Sequence, residues 1–338
     1  MTEIFILAGD IGGTKTNLAI YSSSAGPSNP INDQSFKSSD YNSLESLVTD
    51  FLSAEVNTPI SHACFGVAGP VVKGKTILTN LGWTVEAKKL STALNIAQVE
   101  VINDLAATAK AIPLLKETDL HTLRKGTGEP QATIGVIGPG TGLGEAFLTW
   151  NGQDRYLAYA SEGGHADFAP TNDLESGLLT HLLKNHDHVS YEMICSGLGL
   201  PNIYSYLKET SPYREPDWLQ DQIAEAADPT PLIINAALNQ DSPCVLCLAT
   251  LYAFVRILGA ETGNLALKIM ATGGMYLAGG IPPRIIPALE SGHFSQGFLN
   301  KGRMTKLLAT IPVYVVLNQK AALLGAASYG FERYNELK

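Results

Sequence analysis

Asn103-Asp104 ends the β-branched run Val99–Ile102 and directly precedes the alanine-rich segment Leu105–Ala111. A carboxylate and an amide therefore stand where a strand gives way to a helix. An aspartate in that position can take the proton of a hydroxyl nucleophile, the general-base task of phosphoryl transfer. The same pair can equally serve as the N-cap of the helix. Ser161-Glu162-Gly163-Gly164-His165, and Glu192 within Tyr191-Glu192-Met193-Ile194-Cys195-Ser196-Gly197, add two carboxylates and an imidazole. Such groups suit a polyhydroxylated ligand, whose adjacent hydroxyls offer donors and acceptors together. Glu192 also fits a solvated helix residue. Glu162 and His165 have the i, i+3 spacing of a di-iron helix motif, but Gly163-Gly164 would break that helix and no second copy occurs. Cys244-x-x-Cys247 lies in an apolar helical run without a second pair and reads as buried free thiols. His186-Asp187-His188 reads as an exposed loop.

Glycine-rich turns supply a second kind of chemistry. Gly9-Asp10-Ile11-Gly12-Gly13-Thr14-Lys15-Thr16 misses the Walker A pattern by one residue, Thr14 replacing the last glycine. The next residues, Asn17-Leu18-Ala19-Ile20-Tyr21, favour a strand where a Walker loop requires a helix. A glycine-tipped hairpin still lets backbone N–H groups converge on an anion, with Thr14 adding a hydroxyl. Asp10 beside bound phosphates is tenable if it holds a cation, and Mg²⁺, which keeps several waters and needs few carboxylates, is the natural one. The simpler alternative is that these glycines only make tight hairpins. No G-x-G-x-x-G stands at a strand-to-helix junction, which argues against a nicotinamide enzyme.

The elements that would position these groups alternate in type. Ile4–Ala8, a turn at Asp10–Thr14 and Thr16–Tyr21 predict strand, turn, strand; Ser22–Asp33 is expected as a loop. Leu44, Leu47, Val48, Phe51 and Leu52 recur at helical spacing, and His62–Val67 predicts a further strand. Ala132–Ile137, Gly138-Pro139-Gly140-Thr141-Gly142-Leu143-Gly144 and Glu145–Trp150 repeat the opening plan. A third instance is expected at Leu267–Ala271, Thr272-Gly273-Gly274 and Met275–Ala278, after a helix over Pro243–Thr262. This recurrence points to an α/β protein with an internal duplication. Ala321–Tyr334 is amphipathic and is expected to pack back on the N-terminal half.

Composition bounds the function. At 338 residues, 45% apolar and 16% charged, the chain reads as a globular protein of two or three domains. Its net charge of −9 argues against a nonspecific grip on nucleic acid or anionic membrane. Four cysteines make no disulfide framework, no leader is evident, and neither Ile4–Ala8 nor Val245–Val255 reaches the roughly 20 residues of a membrane span. A cytoplasmic protein is expected. Glycine is in excess, 32 residues against a usual share near 7%, and much of it falls in the turns named above.

Taken in order, Gly9–Lys15, Ile102-Asn103-Asp104, Gly138–Gly144, Ser161–His165, Glu192 before Cys195-Ser196-Gly197, and Gly273-Gly274 resemble the bacterial glucokinase family, from the first strand to the C-terminal helix. The resemblance implies a two-domain actin-like (ribonuclease-H-like) ATPase fold, duplicated, with a cleft for sugar and ATP. A small domain would comprise 1–114 and 318–338, and a large one 115–317. It implies that Asp104 is the base for the 6-hydroxyl of glucose, and that Asn103, Glu162, His165 and Glu192 hold the other hydroxyls, with Gly142 near the sugar. It further implies that Gly9, Asp10, Ile11, Gly12, Gly13 and Thr14, with Gly140, Thr141 and Gly142, face the phosphates of ATP. Asp10 would help hold Mg²⁺, directly or through water, and Gly273 and Gly274 would lie by the adenosine. A homodimer is implied as well. The zinc motif C-x-C-G-x-x-G-C of the related repressors and sugar kinases is missing, as is their helix-turn-helix, which places the chain with zinc-free glucokinases. A same-fold kinase for another hexose or for polyphosphate, and a non-catalytic sugar sensor, are the alternatives.

Overall fold

The computed structural model describes residues 3–54 and 59–336. Its contacts divide the chain into two units. Met1–Asp119, Ala146–Ala160 and Asn318–Lys338 make the first; Leu120–Glu145 and Ser161–Leu317 make the second. In chain order the elements begin with β1 (Phe5–Ile11), β2 (Lys15–Ser22), β3 (Pro30–Lys37), α1 (Leu44–Ala54), β4 (Ile60–Val67), β5 (Lys75–Leu78), β6 (Trp83–Glu86) and α2 (Ala87–Leu94). Next come β7 (Val99–Asn103), α3 (Asp104–Ala111), β8 (Leu120–Arg124), β9 (Ile134–Pro139), β10 (Leu143–Trp150) and β11 (Tyr156–Ser161). Helices α4 (Asp173–Leu182), α5 (Leu200–Thr210), α6 (Asp217–Glu225), α7 (Thr230–Ala237) and α8 (Val245–Ile269) follow. The chain continues through β12 (Gly274–Leu277), α9 (Ile286–Leu289), α10 (His293–Leu299), α11 (Thr305–Thr310), β13 (Val313–Val316) and α12 (Ala321–Glu336).

The first unit is built on a sheet of order β3-β2-β1-β4-β7. β1 and β2 form the expected hairpin, while β1, β4 and β7 run parallel with Ile11, Val67 and Asn103 level. Leu7, Leu18 and Phe65 pack with Leu47 and Phe51 of α1 and Leu90 of α2. A second cluster joins Ala8, Ala19 and Cys64 to Ala107 of α3 and Leu323, Ala326 and Ala327 of α12. Small residues let these helices approach: a Cβ on Gly325 would fall inside the carbonyl of Ala107. The helix at Ala321–Tyr334 thus packs against the N-terminal strands. One expectation is corrected, since Pro30–Asp33 belongs to β3. That strand pairs on one side only, with β2, and most of its side chains are exposed, so no apolar run announces it.

The sheet associated with the second unit has order β11-β10-β9-β12-β13-β8. β9, β12 and β13 are parallel, and β8 joins β13 antiparallel. Each sheet thus has a glycine-tipped hairpin followed by parallel strands, which is the duplication the sequence suggests. The third hairpin does not form. Leu267–Ile269 are the last residues of α8, which runs 25 residues before Met270 ends it in the left-handed conformation (φ 53°). Among the described residues α8 is the helix apolar enough and long enough to cross a bilayer, a length the run Val245–Val255 understates. It is mostly buried inside its own unit, against α5, α7 and α10.

Candidate active site

In the first unit the parallel register delivers Asp10 and Asp104 to the carboxyl edge of the sheet, the end where open α/β sheets place ligands. Asp10 belongs to β1 itself, so the turn is only Gly12-Gly13-Thr14. Across the hairpin Asp10 faces Asn17, whose Nδ2 donates to Asp10 Oδ2 at 3.2 Å. Burial pushes the Asp10 carboxyl up to about 6; the Asn17 bond and the Lys15 charge oppose this, while the Asp104 charge adds to it. The turn is pinned from β3's end, where Ser38 N donates to Thr14 O at 3.0 Å and Ser38 Oγ to Gly12 O at 2.9 Å. Gly9 has a different reason to be glycine: a Cβ there would strike Phe65 at 2.5 Å in the core.

Asn103 is the N-cap of α3. Its Oδ1 accepts from Leu105 N and Ala106 N, both at 3.0 Å, and its Nδ2 donates to Gly69 O at 3.2 Å. The capping role and a ligand role are compatible, because the amide carries two N–H donors and the Gly69 bond uses one. Leu105 N also donates to Asp104 Oδ1 at 2.8 Å. The Asp104 carboxyl is raised above its ordinary value, chiefly by burial, with that bond and one from its own backbone N–H opposing.

In the second unit three separate motifs are tied together by backbone bonds. Gly197 N donates to Gly140 O at 2.8 Å, Glu192 N to Gly164 O at 2.9 Å, and Tyr191 N to Ala166 O at 3.1 Å. Glu192 is half-buried, and its Oε2 accepts from Leu143 N at 2.9 Å, just past the Gly140–Gly142 turn. A Cβ on Gly142 would fall inside the Glu192 carboxylate and would have to push that side chain off its bond to Leu143 N. Its Cα therefore lies against a sugar-holding candidate. His165 stands between two carboxylates, Nε2 at 3.9 Å from Glu162 Oε2 and Nδ1 at 3.9 Å from Glu192 Oε1. Gly163–His165 form a 3-10 turn, as two glycines dictate. By contrast, a Cβ on Gly140 would meet nothing within 4 Å. Packing does not require that glycine, and close approach of a ligand would.

The second glycine pair lies apart from the other motifs. Gly274 lies level with Ile134 at the start of β9, and Gly273 N donates to Thr133 O at 3.0 Å. Gly273-Gly274 thus sit at the opposite end of the strands from the Gly140–Gly142 turn, and Gly274 is buried. The exposed pair Gly279-Gly280 lies at the carboxyl end of β12, with Ile281 N donating to Pro139 O at 3.3 Å. Its signal was in the sequence, a second Gly-Gly directly after the strand. Asn17 was also missed, though a hairpin register counted from the turn pairs it with Asp10. Glu145 and Tyr191, buried beneath the second unit's motifs, had only the weak signal of a polar group in an apolar run. The four cysteines are buried and free, His188 lies exposed beside Asp167, and no group of three metal-binding side chains occurs among the described residues.

These two sheets, each with its glycine-tipped hairpin, have the actin-like (ribonuclease-H-like) ATPase fold. Solved structures share it: the glucokinase of an Antarctic psychrotroph superposes with a TM-score of 0.81 at 33% identity over 97% of this chain and 99% of that one. A ROK family glucokinase from Streptomyces griseus, solved with glucose and AMPPNP, shares the fold at a TM-score of 0.65 and 19% identity, over 97% and 99% of the two chains. A glucokinase family model matches residues 7–332, and the glucokinase of Nostoc punctiforme is 43% identical over 95% of this chain and 97% of its own. The chain belongs to the glucokinase family.

Proposed function

We propose that the protein transfers the γ-phosphate of ATP to the 6-hydroxyl of D-glucose, giving glucose 6-phosphate and ADP. The observation that carries this is Asp104 at the carboxyl edge of a parallel sheet, held by one oxygen and made more basic by burial, in a chain that matches glucokinases over nearly its whole length. Asp104 Oδ2 takes the proton of the 6-hydroxyl as that oxygen forms its bond to the γ-phosphorus and the bond to the ADP oxygen breaks. Glu162, His165 and Glu192 hold the remaining hydroxyls, and the free N–H of Asn103 adds a donor. The backbone of Gly12–Thr14 and of Gly140–Gly142 receives the phosphates. Gly279 and Gly280, rather than Gly273 and Gly274, take the place beside the adenosine.

Asp10 suits Mg²⁺ chemically: it is an oxygen donor beside the phosphate turn, it is oriented by Asn17, and a cation would relieve its pairing with Asp104. When bound, that ion neutralises charge on the transferring phosphate. A domain division into 1–114 with 318–338, against 115–317, belongs to the same proposal. The compact units support it at Asn318 and depart from it at residues 115–119 and 146–160. Cytoplasmic location, supported by four free thiols, and a homodimer complete it. A coupled assay with glucose, mannose, fructose and N-acetylglucosamine, each with ATP or polyphosphate, tests the activity. Glucose with ATP and Mg²⁺ should give the highest kcat/KM; glucose binding without ADP release would mark a sensor instead. Sedimentation tests the dimer.

A further inference from the structure

Glu145 follows Leu143, whose N–H holds Glu192, by two residues on β10, and only 2% of it is exposed. It forms the floor of the loop that carries Glu162 and His165, because a Cβ on Gly163 would fall inside the Glu145 carboxyl. Glu145 Oε1 is buried and has no hydrogen-bond donor against it. The group within its reach is another carboxyl, that of Glu261 on α8, itself fully buried. Two carboxyls can bond each other only when one keeps a proton.

The same network reaches the second sugar-holding segment. Asn264 Nδ2 donates to Glu261 Oε2 at 2.8 Å and to the hydroxyl of Tyr191 at 3.0 Å, the residue directly before Glu192. Lys301 Nζ donates to Asn264 Oδ1 at 2.5 Å. The charged and titratable groups facing the pair are Lys268, 3.5 Å from Glu261, together with Lys301, Tyr191 and Cys195, the Glu175–Arg256 ion pair lying behind Lys301 and Cys195. Lys268 opposes protonation of Glu145, but its side chain is 55% exposed. Burial first, then the Glu261 charge, pushes the Glu145 carboxyl up to about 8.

We propose that Glu145 is a positioning residue for the sugar site: as a neutral acid hydrogen-bonded to Glu261 it supports the Glu162–His165 loop, and its ionisation loosens that loop and weakens sugar binding. This rests on the glucokinase reading of the site. With only the neutral form competent, apparent KM for glucose scales with the inverse of the neutral fraction and rises about tenfold between about pH 7 and about pH 9, while kcat changes little. The test is KM and kcat for glucose across that range, at saturating ATP, in the unmodified chain and in Glu145→Gln. Gln keeps a donor and cannot ionise, so the alkaline rise in KM should vanish. A rise that survives in Glu145→Gln overturns the proposal. If that variant does not fold, Glu261→Gln removes the neighbouring charge that raises Glu145 and should move the rise to lower pH; an unmoved rise is equally fatal. A chain that phosphorylates glucose at no pH overturns the reading of the site itself, which is a different result from an active enzyme whose KM ignores Glu145.

Discussion

Asp104 accepts from Leu105 N through Oδ1, and as the proposed base it would act through Oδ2, so its removal should affect the chemical step far more than the fold. Asp104→Ala is expected to lower kcat about 10²- to 10⁴-fold with glucose binding little changed, measured by steady-state kinetics alongside equilibrium titration. Equal losses in both would count against the base role. Glu192 differs, because its Oε2 is already engaged by Leu143 N and its Oε1 faces His165. In Glu192→Gln an amide oxygen can still accept from Leu143, so the turn survives while the proposed charge-assisted bond to the sugar would be lost. KM for glucose should rise roughly ten- to a hundredfold, and an unchanged KM would remove Glu192 from the sugar site.

Among the elements, the crossing of α3 and α12 has the least room. A Cβ on Gly325 would collide with backbone, the Ala107 carbonyl, which cannot rotate away as a side chain could. Gly325→Ala should cost about 1–3 kcal/mol or more in urea unfolding, and a neutral result would mean the helices can separate freely. Elements were legible in the sequence where a pattern had one physical cause. The hairpins declared themselves by glycines between β-formers, and the β7–α3 junction by a cap residue after a β-branched run. β3 was hidden because an edge strand with exposed side chains looks like a polar loop. The end of α8 was misread because its continuous burial removes helical periodicity, and Met270 supplies the left-handed stop without being glycine. In the candidate site, Glu162, His165 and Glu192 were singled out by residue type, and the structure places them side by side. Glu145 and Asn17 were not, because their importance lies in partners that only tertiary packing and register supply.

For the molecule as a whole, acid tolerance should be set in part by His62. It is fully buried on β4 with neither ring nitrogen hydrogen-bonded. Burial, then repulsion from Arg333, lowers it to about 4 from an ordinary 6.5. The unfolded chain therefore binds this proton more readily than the folded one. The associated stability is present above about pH 6.5 and is lost as pH falls through 4, an effect of about 3 kcal/mol. Urea unfolding of the unmodified chain and of His62→Leu, followed over that range, should show a shallower decline in the variant; parallel declines would exonerate His62. The acidic balance fits the proposed ligand without contradiction, since a polyanion is then received by backbone N–H groups and Mg²⁺ in a chain of charge −9.

The return of α12 to the first sheet also sets an order of events during synthesis. The face formed by Ala8, Cys64 and Ala107 is completed by Leu323, Ala326 and Ala327, which leave the ribosome roughly two hundred residues later. At about 5–20 residues per second that face waits on the order of 10 to 40 seconds, while the whole of the second unit is being made. The first unit to be started is therefore the last to be finished, and an interrupted nascent chain would present an uncovered apolar surface to chaperones.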